Sequence, residues 1–160
     1  MSQNYKIKAG IERITSFTVT GLSLVTSHKS ATADINALWE KFFKDSIGTK
    51  IPNKADDNIY AVYSDYQGDH TKPYRLTIGY KVTDQSPPPQ EMHSITIEAR
   101  DYAALSAQGL QPKSLIETWT AIWESDMNRA YQTDFEFYGP KFFEEGINEV
   151  LLYIGLNETK

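Results

Sequence analysis

Residues 51–82 read IPNKADDNIYAVYSDYQGDHTKPYRLTIGYKV. Two runs rich in β-branched and aromatic residues, 58–65 and 74–82, flank the stretch QGDHTKP. Such runs, parted by Gly, Asp and Pro, predict two strands joined by a turn. In the second run Leu76, Ile78, Tyr80 and Val82 recur at every other residue and so share one face. In the first run Tyr60 and Tyr63 fall on opposite faces.

Reading outward to the N-terminus, Ile35, Leu38, Trp39, Phe42 and Phe43 recur at helical spacing. Thr32 and Asp34 stand where an N-cap or first-turn acid belongs, and Gly48 where a C-cap belongs. Before that helix, residues 14–27 (ITSFTVTGLSLVTS) alternate apolar and polar, with a slip of phase at Gly21. The slip predicts a strand bulged at that glycine. Reading outward to the C-terminus, QSPPPQ interrupts the pattern, and its residues 86–90 predict an extended connector. The order then repeats. Extended segments at 93–98 and 102–107 surround a turn at 99–101. A helix opened by Pro112 carries Leu115, Ile116, Trp119, Ile122 and Trp123 on one face, and strands follow at 134–139 and 149–156. The predicted fold class is α+β: duplicated β-α-β-β units, at about 14–83 and 92–157, with antiparallel sheets in one domain of residues 1–160. Sheets set side by side leave a ligand groove between the halves, expected on the faces turned away from the helices.

The chain has 160 residues, ten Tyr, seven Phe and three Trp, a load that suits both cores and ligand pockets. Cysteine is absent, which excludes disulfides, thiolate catalysis and cysteine-based zinc sites. The net charge is −5 without a Lys/Arg cluster, so direct nucleic-acid binding is not expected. The N-terminus lacks the apolar core of a signal peptide, and no apolar run is long enough for a membrane span; the expected location is the cytoplasm. His28, His70 and His93 have no ligand spacing, and the motifs for nucleotide loops and the nucleophile elbow are missing. No metal, no cofactor and no catalytic residue is assigned.

Residues 51–82, together with EARDYAALSAQG (98–109), LIETWTAIWESDMNRAYQTDFEFY (115–138) and EVLLYIGL (149–156), resemble the GyrI-like family of AraC-type effector-binding domains. The resemblance runs from about Thr18 to Leu156. The members it most resembles are short bacterial proteins made of this domain alone, some carried on integron cassettes and often labelled transcriptional activators. It implies two SHS2-like halves with a pocket between them, ligands that are often lipophilic cations, and a carboxylate in an aromatic pocket as their partner. Multidomain members add a helix-turn-helix unit. This chain is expected to stand without one, because the domain begins within its first strand.

The carboxylate position of the family would fall on DFEFY (134–138), at Glu136. Alternation sets Phe135 and Phe137, expected to pack on a helix, against Asp134, Glu136 and Tyr138. A carboxylate in mid-strand among aromatics is costly to bury without a partner; a cationic ligand is one reading and a solvated sheet face the other. On 149–156, Val150, Leu152 and Ile154 read as core, while Leu151 and Tyr153 share the other face, which Glu136 would share if the strands are neighbours. Many relatives carry a second Glu where this chain has Leu151. Trp119, Trp123, Tyr60 and Tyr80 complete the candidate ligand-binding set with Glu136, Tyr138, Tyr153 and Leu151.

The favoured reading is binding of small lipophilic, cationic molecules without turnover, by a sensor or sequestering protein. A GyrI-like hydrolase of reactive electrophiles, using Glu136 with Tyr153 or Tyr138, is one alternative. A protein-interaction module of the gyrase-inhibitor kind is another. A second copy of the chain, or a separate regulator, stays open as a partner.

Overall fold

The computed structural model describes residues 10–27, 29–68, 72–111, 113–125, 127–144 and 147–157. Its strands are β1 (Gly10–Ile14), β2 (Phe17–Thr26), β3 (Lys54–Ser64), β4 (Tyr74–Val82), β5 (His93–Ile97), β6 (Arg100–Ala107), β7 (Arg129–Tyr138) and β8 (Val150–Leu156). Helix α1 (Ala31–Lys44) follows β2, and α2 (Lys113–Glu124) follows β6. Each unit is thus strand, helix, strand, strand, preceded by one additional short strand. All eight strands form one antiparallel sheet in the order β1-β6-β8-β7-β3-β4-β2-β5. The units meet where β3 pairs with β7. The register slips at equivalent places, between Lys54 and Ile59 on β3 and between Arg129 and Asp134 on β7.

The sheet curls until its two ends meet. Residues Gly10–Ile14 pair with Ala104–Arg100, and the same register continues from Phe17↔Ile97 to Gly21↔His93. The chain through β1 and β2 therefore runs beside the chain through β5 and β6 as two long bent strands. In a flat sheet, β2 and β7 would lie three strand spacings apart, roughly 14 Å. Instead the Phe17 and Phe135 rings are 5.4 Å apart.

Curling produces two cores. Between sheet and helices, Leu38 and Phe42 of α1 and Ile122 of α2 pack on Leu76, Ile78, Leu105, Leu152 and Ile154. Inside the curl, Val19, Tyr60, Val62, Ile97, Tyr102 and Phe135 form a second, aromatic core. Both faces of β7 are consequently buried, with Phe135 at 3 % exposure and Glu136 at 2 %.

The two cores explain where the sequence reading misplaces side chains. The phase slip at Gly21 is not a bulge: β2 pairs with β4 without interruption through Gly21↔Gly79. The first half of β2 sends Val19 into the inner core, and the second half sends Leu22 and Leu24 toward the helices. Phe135 and Phe137 do not pack on a helix; they face Tyr60, Tyr102 and Tyr153 inside the curl. Strands β7 and β8 are neighbours, but Glu136 stands opposite Leu152 and Tyr153 opposite Phe135, so Glu136 and Tyr153 are on different faces. Gly48 is not a helix C-cap. It lies in a 3-10 turn (Ile47–Lys50) that follows the Asp45 cap, and Ser46 takes the left-handed conformation. The N-cap is Ser30 rather than Thr32, while Asp34 is a first-turn acid that accepts a hydrogen bond from Thr26. Pro112, His28 and His70 lie outside the described residues.

Candidate functional site

A cavity of about 570 Å³ opens between α1 and α2 above the junction of the two units. It is therefore on the helix face of the sheet, not on the face turned away from the helices. Its size falls within the range of small-molecule sites. Amphipathic α1 turns Leu38 and Phe42 down to the core, which leaves Ile35, Trp39 and Phe43 to line one wall. Helix α2 supplies Leu115, Ile116, Trp119 and Trp123 to the other. The floor comes from Ile59 and Tyr63 of β3, Tyr74 of β4, and Arg129, Glu136 and Tyr138 of β7.

Glu136 sits at the centre of that floor, opposite Ala61 on β3 and Leu152 on β8. The small alanine across the strand leaves room for the carboxylate and its donors. Three side chains donate to it: Tyr63 Oη at 2.8 Å and Trp119 Nε1 at 2.7 Å to Oε2, and Tyr138 Oη at 2.6 Å to Oε1. The donors come from β3, α2 and β7, so the carboxylate ties the two units to each other. None of them carries a charge. Burial raises the Glu136 pKa above the ordinary glutamate value, and the bonds from Tyr138, Trp119 and Tyr63 pull it back only in part. Burial and the Glu136 charge push the Tyr63 and Tyr138 hydroxyls well above the usual phenol range, so both remain donors.

The second acid on this strand face, Asp134, has a different environment. It accepts from Arg129 Nη2 at 2.7 Å, Tyr66 Oη at 2.5 Å and the Gly155 amide at 2.8 Å. Arg129 and Asp134 form an ion pair with side chains only 4 % and 0 % exposed. Burial opposes the guanidinium charge most strongly, but Asp134, Tyr66 and Tyr131 together outweigh it and hold the Arg129 pKa above its ordinary value. The guanidinium lies 4.3 Å from the Tyr131 ring centre and 6.0 Å from those of Tyr66 and Trp119. Arg129 Nε and Nη1 are buried without a hydrogen-bond partner among the described residues.

Of the residues singled out in the sequence, Glu136, Tyr138, Trp119 and Trp123 line the cavity. The other four do not. Tyr60 belongs to the inner core, and Tyr153 stacks on Phe135 there, at 4.7 Å. Leu151, opposite Phe137, shares the Tyr153 face, so an acid at 151 would point away from Glu136; Val150 is the β8 residue that faces the cavity. Tyr80 is stacked on Phe42 beneath α1, at 5.6 Å. The curl is the cause for Tyr60, Tyr153 and Leu151, because it makes the far face of the sheet an interior of its own.

Sequence reasoning misses Trp39, Tyr63, Tyr66, Tyr74 and Arg129 as site residues. A signal existed for Tyr63, which falls on the face opposite Tyr60 and so on the Glu136 side once β3 and β7 are paired. None existed for Arg129, which precedes the predicted strand and enters the site only through the irregularity between Arg129 and Asp134.

Residues 10–156 match the Cass2 family, described as integron-associated effector binding protein. YobU of Bacillus subtilis (strain 168), described as a candidate transcriptional regulator protein, is 27 % identical over 147 residues, which is 86 % of this chain and 91 % of YobU. The integron cassette protein VCH_CASS2, from the mobile metagenome of Vibrio cholerae, superposes with a TM-score of 0.71 at 26 % identity, covering 93 % of this chain and 95 % of that one. The fold is also shared with SAV2435, whose structure bound to tetraphenylphosphonium gives a TM-score of 0.77 at 14 % identity over 93 % of both chains.

Proposed function

The chain belongs to the Cass2 family of integron-associated effector-binding proteins, and from that premise we propose that its effector is a lipophilic organic cation, bound between the helices with Glu136 as counter-charge and released unchanged. One observation carries this reading: a fully buried carboxylate that has three neutral donors and, among the described residues, no cation bonded to it, at the floor of an aromatic cavity. Buried charges are otherwise paired or neutralised, and a cation entering the cavity would supply the missing partner. Trp39, Trp119 and Trp123 add ring faces and edges for a flat or multi-ring ligand; a cation over a ring contributes about 0.5–2 kcal/mol. The tetraphenylphosphonium bound to SAV2435, a protein of the same fold, is a ligand of this class. Holding fits better than turnover. Asp134 is committed to Arg129, and the Tyr63 and Tyr138 hydroxyls are held as neutral donors on Glu136.

The test is calorimetric titration with tetraphenylphosphonium from about pH 5 to pH 8, in buffers of different ionisation heat. The Glu136 pKa is raised, so part of the population is protonated at the acid end of that range, and the cation binds the ionised form. Affinity is expected to rise with pH until Glu136 is fully ionised, with proton release on binding across the raised pKa. A pH-independent affinity with no proton release would remove Glu136 from the role.

A further inference from the structure

Arg129 has more hydrogen-bonding capacity than its surroundings use. Nη2 donates to Asp134 at 2.7 Å, whereas Nε and Nη1 are buried and unpartnered. Arginine offers five N–H donors, and leaving buried ones unmade is costly, more so for a charged group. The side chain is 4 % exposed and belongs to the cavity wall, with the rings of Tyr66, Trp119 and Tyr131 around it. Trp119 spans the distance between the two polar features: its Nε1 donates to Glu136, and its ring lies against Arg129. The lining thus holds an acceptor of positive charge at Glu136 and, on Arg129, idle donors covered by the surrounding rings, which a ligand reaches by parting those rings. The Arg129 charge is already balanced by Asp134, so the idle groups ask for an acceptor atom rather than for an anion.

We propose that the effector is a cation that also carries a hydrogen-bond-accepting oxygen, a carbonyl or its like, which the unpartnered Nε and Nη1 of Arg129 receive while Glu136 takes the charge. The inference rests on the cation reading given above and narrows it from lipophilic cations in general to cations with an acceptor at a set distance.

The experiment compares two probes that differ at a single carbon, hexyltriphenylphosphonium and 5-oxohexyltriphenylphosphonium, by calorimetry on the full chain. The ketone is expected to bind about tenfold more tightly, the equivalent of one hydrogen bond to a charged donor. In wild type, the ¹H–¹⁵N resonance of Arg129 Nε should shift with the ketone and not with the alkyl cation. Arg129→Lys keeps a positive charge for Asp134 and removes the guanidinium donors. It should bring the two affinities together by weakening the ketone alone. Equal binding of the two cations by wild type, or a tenfold preference kept by Arg129→Lys, would overturn the proposal. Should Arg129→Lys not fold, the wild-type preference and the Nε resonance decide the matter alone. Weak or absent binding of both cations, or binding unchanged by Glu136→Gln, instead overturns the cation reading and takes this inference with it. Tight, Glu136-dependent binding of both cations without preference overturns this inference only.

Discussion

Glu136→Gln is expected to weaken tetraphenylphosphonium binding by about 3 kcal/mol, more than a hundredfold in Kd, while the protein stays folded. The substitution removes the charge and keeps the shape. Glutamine can place its oxygen where Oε2 accepts from Tyr63 and Trp119, and its amide where Oε1 meets Tyr138. The Tyr138 hydroxyl then turns to accept instead of donate, since a hydroxyl does either. All three contacts survive, so the loss of affinity reports charge alone. Stability should move the other way. A carboxyl group whose folded pKa lies above its unfolded value stabilises the fold below the ordinary glutamate range and loses that contribution as pH rises through the folded pKa. Glutamine has no such dependence. The variant should therefore gain in Tm relative to wild type as the pH is raised, and the difference should shrink in acid. An affinity within threefold of wild type, in a variant with intact thermal unfolding, would show that the ligand's charge is met elsewhere.

The readable and unreadable parts of this site divide along the curl of the sheet. The hairpin at 58–82, the two helices and the β-α-β-β order are written in local periodicity, and β4 occupies the predicted residues 74–82. Glu136 is visible as a misplaced charge in an aromatic strand. Which face of the sheet it joins is not visible, because alternation separates two faces without saying which one meets the helices. On β7 the rule that apolar residues face the helices fails. Phe135 enters a second core that exists only because β1–β2 and β5–β6 pair end to end, joining residues 72 to 94 positions apart in sequence. Asp134, Glu136 and Tyr138 are left to the helix side, where each polar group finds a buried partner. That non-local pairing also accounts for Tyr60 and Tyr153: aromatics on a predicted ligand face prove to be packing inside the curl. Arg129 lies beyond any pattern argument, since its place depends on a register slip.

Gly79→Ala should cost about 3 kcal/mol or more, a fall of roughly 10 °C in Tm, although it adds a single methyl group. Gly79 on β4 stands directly opposite Gly21 on β2. A Cβ at 79 would lie 2.0 Å from the Thr20 carbonyl oxygen and 2.7 Å from the Gly21 Cα; one at 21 would lie 2.0 Å from the Ile78 carbonyl oxygen. Every atom met is backbone, so no rotamer change can relieve the clash, and the strands themselves must part. Strand β4 has nowhere to go, held by β3 on one side and β2 on the other. Gly10→Ala in β1 is the control: its Cβ meets nothing within 4 Å, and the expected change is within 0.5 kcal/mol. The contrast bears on function as well as stability. The Gly21–Gly79 approach is the point where β2 passes from the inner core to the helix face, so it belongs to the curl that buries both sides of β7, Phe135 in the inner core and Glu136 under the helices. A strand pair forced apart there should loosen both cores together, and unfolding should remain one transition at lower temperature. A Gly79→Ala protein that melts within about 1 kcal/mol of wild type would mean that the two strands separate freely. The tight curl, and with it the placement of Glu136 under the helices, would then need another cause.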